Sequence, residues 1–219
     1  MKTLAVISQK GGSGKTTISV HLAVCAAMRG IRTVTLDMDE QPSAYLWHKS
    51  RAADKNRDVD KRLGAVKCMA GQLTGYLDLG RQRHDVDLTL IDTAPHSNAD
   101  AAIAAQLADF ILIPCRPATF DLRAVYNSVQ IARLSKKPFA VIINAAPHGK
   151  KLVEETRALL TKNNVPVMAQ VIHQYAAYSY AVIDGSSVHE YEPDGKAAAE
   201  IDALYNYVAQ QLQLEEVHA

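Results

Sequence analysis

Gly11, Gly12 and Gly14, followed at once by Lys15, Thr16 and Thr17, are the residues of this 219-residue chain whose types and spacing most directly specify chemistry. Glycines leave backbone N–H groups open to an anion, and a helix beginning at a Lys-Thr pair adds its own N-terminal N–H groups. The apolar run Leu4, Ala5, Val6, Ile7 ahead of the loop reads as a buried strand. Residues 18–28 behind it read as a helix ending near Gly30. Strand, glycine-rich loop, Lys-Thr and helix is the arrangement that cradles a nucleotide's phosphates. Lys15 is expected to reach the β- and γ-phosphates and the Thr16 hydroxyl to ligate Mg²⁺. Gly11, Gly12, Ser13, Gly14 and Thr17 complete the cradle of a nucleoside-triphosphate site.

The loop departs from the common pattern at one end. In G-x-x-x-x-G-K-[ST] the first glycine falls at position 9, where this chain has Gln9, and Lys10 follows. Read by itself, Lys10 is a solvated loop cation. Two further segments end apolar runs in carboxylates: 36–43 carries Asp37 and Asp39, and 88–95 carries Asp92. Ligand chemistry in open α/β sheets collects at such strand ends. An apolar run closing on an aspartate, as at Asp92, is the pattern that binds Mg²⁺ directly or through water. Asp39, read alone, caps the helix that follows. A third run, 141–144, closes on Asn144, which read alone turns the chain before Pro147.

Taken together, K-G-G-S-G-K-T-T at 10–17, D-M-D-E-Q at 37–41 and D-T-A-P at 92–95 resemble the ParA/MinD family of deviant Walker A ATPases. Residues 114–121 are similar to that family's strand–P-x-x-P–Asp segment near the dimer face. Residues 172–174, 183–188 and 195–201 look like the C-terminal part of small plasmid-partition ParA proteins. The resemblance implies an α/β, three-layer P-loop NTPase fold with a mostly parallel central sheet flanked by helices on both faces. It also implies one domain over 1–219, ATP as nucleotide, and a Mg²⁺ shell drawing on Thr16, Asp37 and Asp92. By the same resemblance, Lys10 reaches across an ATP-bridged homodimer, Asp39 positions the attacking water, and Asn144 hydrogen-bonds the adenine. His96, Ser97 and Asn98 then fall in a switch that senses the γ-phosphate. Glu40 replaces the family's proline and adds negative charge near the phosphates, which implies slow or partner-dependent turnover.

The function so implied is an ATPase switch whose dimer binds DNA nonspecifically and, with a ParB-like or other stimulating adaptor, segregates plasmid or chromosomal DNA. The alternative keeps the switch and changes the cargo to a chemoreceptor cluster or microcompartment. A MinD-like or biosynthetic ATP-dependent enzyme is a further alternative. The expected location is cytoplasmic and nucleoid-associated. The chain begins two residues before its first strand, so no operator-reading extension is expected. The residues give the DNA reading little help: no Lys or Arg lies between Lys162 and Lys196, and Tyr175, Tyr178 and Tyr180 occupy that stretch. The tyrosine stretch is alternatively a docking or polymerisation surface. Candidate phosphate-facing cations are Lys136, Lys137, Lys150 and Lys151, with Arg133 and Arg157 beside them. The same residues also suit ordinary helix termini.

Composition excludes other classes. A formal net charge of +1 gives no global field for nucleic acid, so any DNA contact is a local patch or one assembled by dimerisation. The acidic, weakly apolar tail 210–219 argues against anionic lipid, and no run approaches the ~18 apolar residues of a membrane span. The three cysteines (Cys25, Cys68, Cys115) lie far apart in apolar segments and read as buried thiols of a reducing compartment. No second cysteine stands near Cys115 for a cluster shared between subunits. Short apolar runs at 3–8, 33–37, 65–68, 88–92, 110–114, 139–144 and 167–172 predict strands covered on both faces. Helices are clearest at 16–29, 121–135, 150–163 and 195–214, and alternation with strands implies a parallel sheet. The charged segment 51–62, of mixed sign, reads as a solvated helix end and loop.

Overall fold

A computed structural model describes residues 1–53, 61–117, 121–183 and 185–214. Its seven strands are β1 (Lys2–Val6), β2 (Thr33–Asp37), β3 (Leu63–Lys67), β4 (Leu88–Asp92), β5 (Phe110–Cys115), β6 (Phe139–Ala146) and β7 (Val167–His173). They form one sheet in the order β3-β2-β4-β1-β5-β6-β7, and every neighbouring pair is parallel. Alternate strand residues point to opposite faces, so Leu4 and Val6 enter one core while Ala5 and Ile7 enter the other. Both faces are covered, which is why most strands read as short, largely apolar runs.

The first core holds α1 (Lys15–Met28) and α9 (Lys196–Leu212), and Trp47 of α2 (Ser43–Ala53) packs against it. The second holds α3 (Leu73–Arg83), α4 (Asn98–Leu107), α5 (Asp121–Ser135) and α6 (Lys150–Lys162). Helices α7 (Ala176–Ile183) and α8 (Val188–Tyr191) close the first face beside α9. The α1 helix is buried from Ile18 through Ala27 because sheet and α9 sandwich it. It starts where Gly14 takes a left-handed φ of 92° and stops at Gly30, φ 83°. Cys25, Cys68 and Cys115 are free and buried, in keeping with their apolar surroundings in sequence.

One expectation is overturned. Arg51 is not part of a solvated helix end: it is only 3% exposed. Its guanidinium donates to the Gly185 carbonyl at 3.0 Å and to both carboxylate oxygens of Glu190 at 2.7 and 2.6 Å. A charge buried this deeply is held by a bidentate partner and a carbonyl, as burial of charge requires. Residues 54–60 of the charged segment, 118–120 of the segment after β5, 184 of the segment after α7, and 215–219 of the tail lie outside the described residues. Among the described residues no helix is long and apolar enough to cross a membrane.

Candidate nucleotide site

The sheet order makes β1 central, with β4 on one side and β5 on the other, and the strand order reverses direction there. In-register pairing sets Val6 beside Asp92 and beside Leu112. The glycine loop therefore leaves the sheet between two strand ends, where open α/β sheets bind ligands. Its start is anchored by three bonds: Ile7 N–H to the Leu112 carbonyl (3.0 Å), Gln9 N–H to Ser128 Oγ (3.1 Å), and Gln9 Nε2 to the Ser97 carbonyl (3.4 Å). Gly12 and Gly14 both take left-handed φ values, 72° and 92°, which a side chain would strain.

Lys15 is buried, and its ammonium donates to the carbonyls of Ser8 (3.2 Å) and Lys10 (3.4 Å) across the loop. Burial pulls its pKa down, opposed by the charges of Asp92 and then Asp39. The Thr16 hydroxyl donates to Asp92 Oδ2 at 2.7 Å, and Ser19 to Oδ1 at 3.3 Å. Burial pushes the Asp92 carboxyl up to about 7 against the Thr16 bond, and neighbouring Asp37 pushes the same way. A threonine hydroxyl on a buried carboxylate is a hard-oxygen donor pair of the kind Mg²⁺ takes. Ser13 Oγ, buried in the loop, has no hydrogen-bond partner among the described residues, and a phosphate oxygen fits as one.

Asp37 and Asp39 divide their tasks differently from the expectation for a lone Asp39 cap. Asp37 is fully buried; Oδ1 accepts from Asp39 N–H (3.1 Å) and Oδ2 from Tyr45 N–H (3.0 Å). The aspartate that caps the first turn of α2 is thus Asp37. Burial raises its pKa, against those bonds. Asp39 is half-buried, accepts only from Gln41 N–H at 3.0 Å among the described residues, and stands close enough to Lys15 to support its charge. Glu40 beside it is exposed.

Asn144 is 6% exposed and donates its amide to the Ser13 carbonyl at 2.7 Å, beneath the loop. A cavity of about 200 Å³ opens beside it, lined among others by Gly12, Thr17, Arg116, Asn144 and Tyr175. The structure therefore brings residues 10–17, Asp37, Asp39, Asp92 and Asn144 to one end of the sheet. The four candidate DNA lysines do not converge. Lys136 and Lys137 follow α5 and precede β6; Lys150 and Lys151 follow β6 and open α6. Eight residues of strand separate the pairs, roughly 26 Å. Arg133 donates to the carbonyls of Asn163 and Asn164, and Arg157 to those of Met168 and Ala169, so both tie loops and strands together.

The structure adds Arg116, to which the sequence assigns no role of its own. It follows β5, at the strand end that holds the loop. Its position one residue past a strand end is the available signal. His96, expected in a switch, follows β4 at the same end of the sheet. It takes a left-handed φ of 63°, and its Nε2 would stand 3.9 Å from a Cβ added at Gly11.

Comparison with known proteins agrees with this geometry. Residues 4–188 match the CobQ/CobB/MinD/ParA nucleotide binding domain family. The chain is 29% identical over 215 residues to the maintenance of carboxysome distribution protein A of Halothiobacillus neapolitanus, covering 94% of this chain and 95% of that one. It is 30% identical over 219 residues to the protein of that name from Gloeobacter kilaueensis, covering 96% and 94%. The solved structure of apo McdA from Cyanothece superposes with a TM-score of 0.78 at 15% identity, covering 95% of this chain and 99% of that one. The chain belongs to the CobQ/CobB/MinD/ParA family, as a nucleotide-binding ATPase domain of its ParA/MinD branch.

Proposed function

We propose that this protein is an ATP-dependent dimerisation switch that positions a cargo, and that the cargo is a protein body of the microcompartment kind. The observation that carries the switch is the deviant loop: a second lysine, Lys10, precedes the glycines of a cradle whose own lysine, Lys15, is already buried across it. The cargo rests on similarity over nearly the whole chain to two proteins named for carboxysome distribution.

In this reading the loop N–H groups and Lys15 hold the β- and γ-phosphates, and Ser13 Oγ gains a phosphate oxygen as partner. Thr16 and Asp92 would hold Mg²⁺, which would supply neutralisation of the charge on the phosphates. Asp37 keeps α2 and the Asp39 turn in place through its two backbone bonds, and Asp39 orients the attacking water. Catalysis here is placement plus electrostatics, because phosphoryl transfer asks little covalent chemistry of the protein. Lys10 contacts ATP only from the partner protomer, so ATP binding and dimerisation favour each other by linkage. Nonspecific DNA is the matrix, and an adaptor on the cargo stimulates hydrolysis. Plasmid DNA as cargo is the second reading, favoured by the partition-like segments 172–174, 183–188 and 195–201.

The test is sizing, together with retention on nonspecific duplex DNA, of the protein without nucleotide and with ADP, ATP or a nonhydrolysable ATP analogue. Dimers and salt-sensitive retention confined to the triphosphate states are expected. Equal behaviour in all states would sink the switch. Triphosphate-dependent dimers that ignore DNA would leave the switch and move its matrix elsewhere.

A further inference from the structure

Arg116 is the first residue beyond β5, and the strand register fixes its neighbours. Cys115 pairs with Ile143, so the next residue on each chain segment is Arg116, just past β5, and Asn144, still within β6. The Arg116 Nη1 would stand 4.0 Å from a Cβ added at Gly12, a glycine of the phosphate loop. Arg116 lines the cavity beside that loop, and none of the residues lining the cavity is acidic.

Its guanidinium makes no hydrogen bond or ion pair among the described residues, unlike several other arginines of the chain. Arg29 holds Asp202, Arg32 holds Asp87, Arg51 holds Glu190 and Arg81 holds Asp78. Arg116 is half-buried, and a guanidinium withdrawn from water without an anion carries an uncompensated desolvation cost. The group that would offset it must be anionic, must fit a cavity of about 200 Å³, and must lie against Gly12. A planar fork of N–H donors is suited to phosphate oxygens.

We propose that Arg116 is a phosphate-binding residue of the nucleotide site, supplied by the protein's own chain from the end of β5. It holds the polyphosphate from the β5 side of the loop, independently of any partner protomer. Its nearness to Gly12 of the loop favours phosphate over base, since His173 to Tyr175, which also line the cavity, lie at and beyond the end of β7, two strands away from β5. This inference rests on the nucleotide reading of the site.

The experiment is equilibrium binding of ATP, ADP, AMP and inorganic tripolyphosphate, with Mg²⁺, to the wild type, Arg116→Gln and Arg116→Lys. Arg83→Gln, on the exposed end of α3, is the control. We expect Arg116→Gln to weaken ATP and tripolyphosphate about tenfold while changing AMP less than about twofold. Arg116→Lys should recover part of the loss, because it restores charge without the fork. Thermal melts of the variants check folding, and if Arg116→Gln fails to fold, Arg116→Met gives the same comparison. Equal loss for AMP and ATP would move Arg116 to the base or sugar and overturn the proposal. Unchanged ATP and tripolyphosphate affinity in the Gln or Met variant would overturn it too. A wild type that binds no nucleotide would instead remove the nucleotide reading beneath it.

Discussion

At Gly14 one methyl group would be enough to break the site. A Cβ there would fall 2.1 Å from Asn144 Nδ2, on a backbone already at φ 92°. Gly14→Ala must therefore push Asn144 off the Ser13 carbonyl and also strain its own backbone, at a cost of about 1–3 kcal/mol for the conformation alone. Loss of ATP binding and a lower urea midpoint are expected. Adding Asn144→Ala should restore part of the stability, because it removes the collision but not the left-handed φ; strict additivity of the two changes would refute their contact. Asp39 poses a different question. Its carboxylate accepts only from Gln41 N–H among the described residues, while Asp37 performs the capping, so losing it should leave the fold intact. Asp39→Ala is expected to bind ATP and dimerise but not hydrolyse, giving a trapped dimer by sizing. Wild-type turnover would return Asp39 to a purely local turn. These residue-level roles are only partly legible in the sequence. The glycine loop, Lys15, Thr16 and Asp92 announce themselves by spacing, whereas the bond from Asn144 to Ser13 spans 131 positions and leaves no local mark.

At the scale of elements, two buried polar groups pin helices together. Arg51 docks α2 onto the turn before α8 through Gly185 and Glu190. Arg51→Met removes the bonds to Gly185 and Glu190 while Glu190, its side chain 29% exposed, keeps Ser187, and should cost about 1–3 kcal/mol in denaturant unfolding. His21, fully buried in α1, accepts the Val188 N–H at Nδ1 (3.3 Å) and packs against Tyr178 with ring centroids 5.2 Å apart. Burial, with His189 nearby, depresses its pKa to about 3. The folded state therefore holds His21 neutral while the unfolded chain protonates it below about pH 6.5. Its contribution is complete above that value and is lost as pH falls. Stability at pH 5 should be about 2 kcal/mol lower than at pH 8 on this account. His21→Gln should flatten that slope, and an unchanged slope would assign it to other groups. The strands are readable because parallel strands covered on both faces are largely apolar runs without strict alternation. Helix α3 is harder to single out, since Gly75 and Gly80 interrupt its pattern. Helices α7 and α8 are short, and α7 is apolar nearly throughout, which leaves no 3.6-residue stripe to read. Arg51 reads as solvated in sequence because its partners lie 134 and 139 positions away.

For the whole molecule the issue is how a chain of net charge +1 could hold DNA at all. Only a local concentration of cations would serve, and the four candidate lysines are split between the two ends of β6. Lys136 and Lys137 stand at the end where β6 begins, remote from the phosphate loop. Lys150 and Lys151 stand at the end where the strands deliver Asp92, Arg116 and Asn144. On the proposed reading, nucleotide most directly alters the second end, because the phosphate loop lies there. If the dimer holds DNA, the pair Lys150→Glu and Lys151→Glu should therefore weaken triphosphate-dependent retention. The salt slope should also fall by about 0.9 for each DNA phosphate no longer neutralised, up to roughly four phosphates for the two copies in a dimer. The matching pair at Lys136 and Lys137 should leave the nucleotide dependence intact. ATP affinity measured in parallel must stay constant in both, since neither pair lines the cavity. Reversed results would place the DNA face at the opposite end of the sheet, and the signal from nucleotide would then have to travel the length of β6 to reach it.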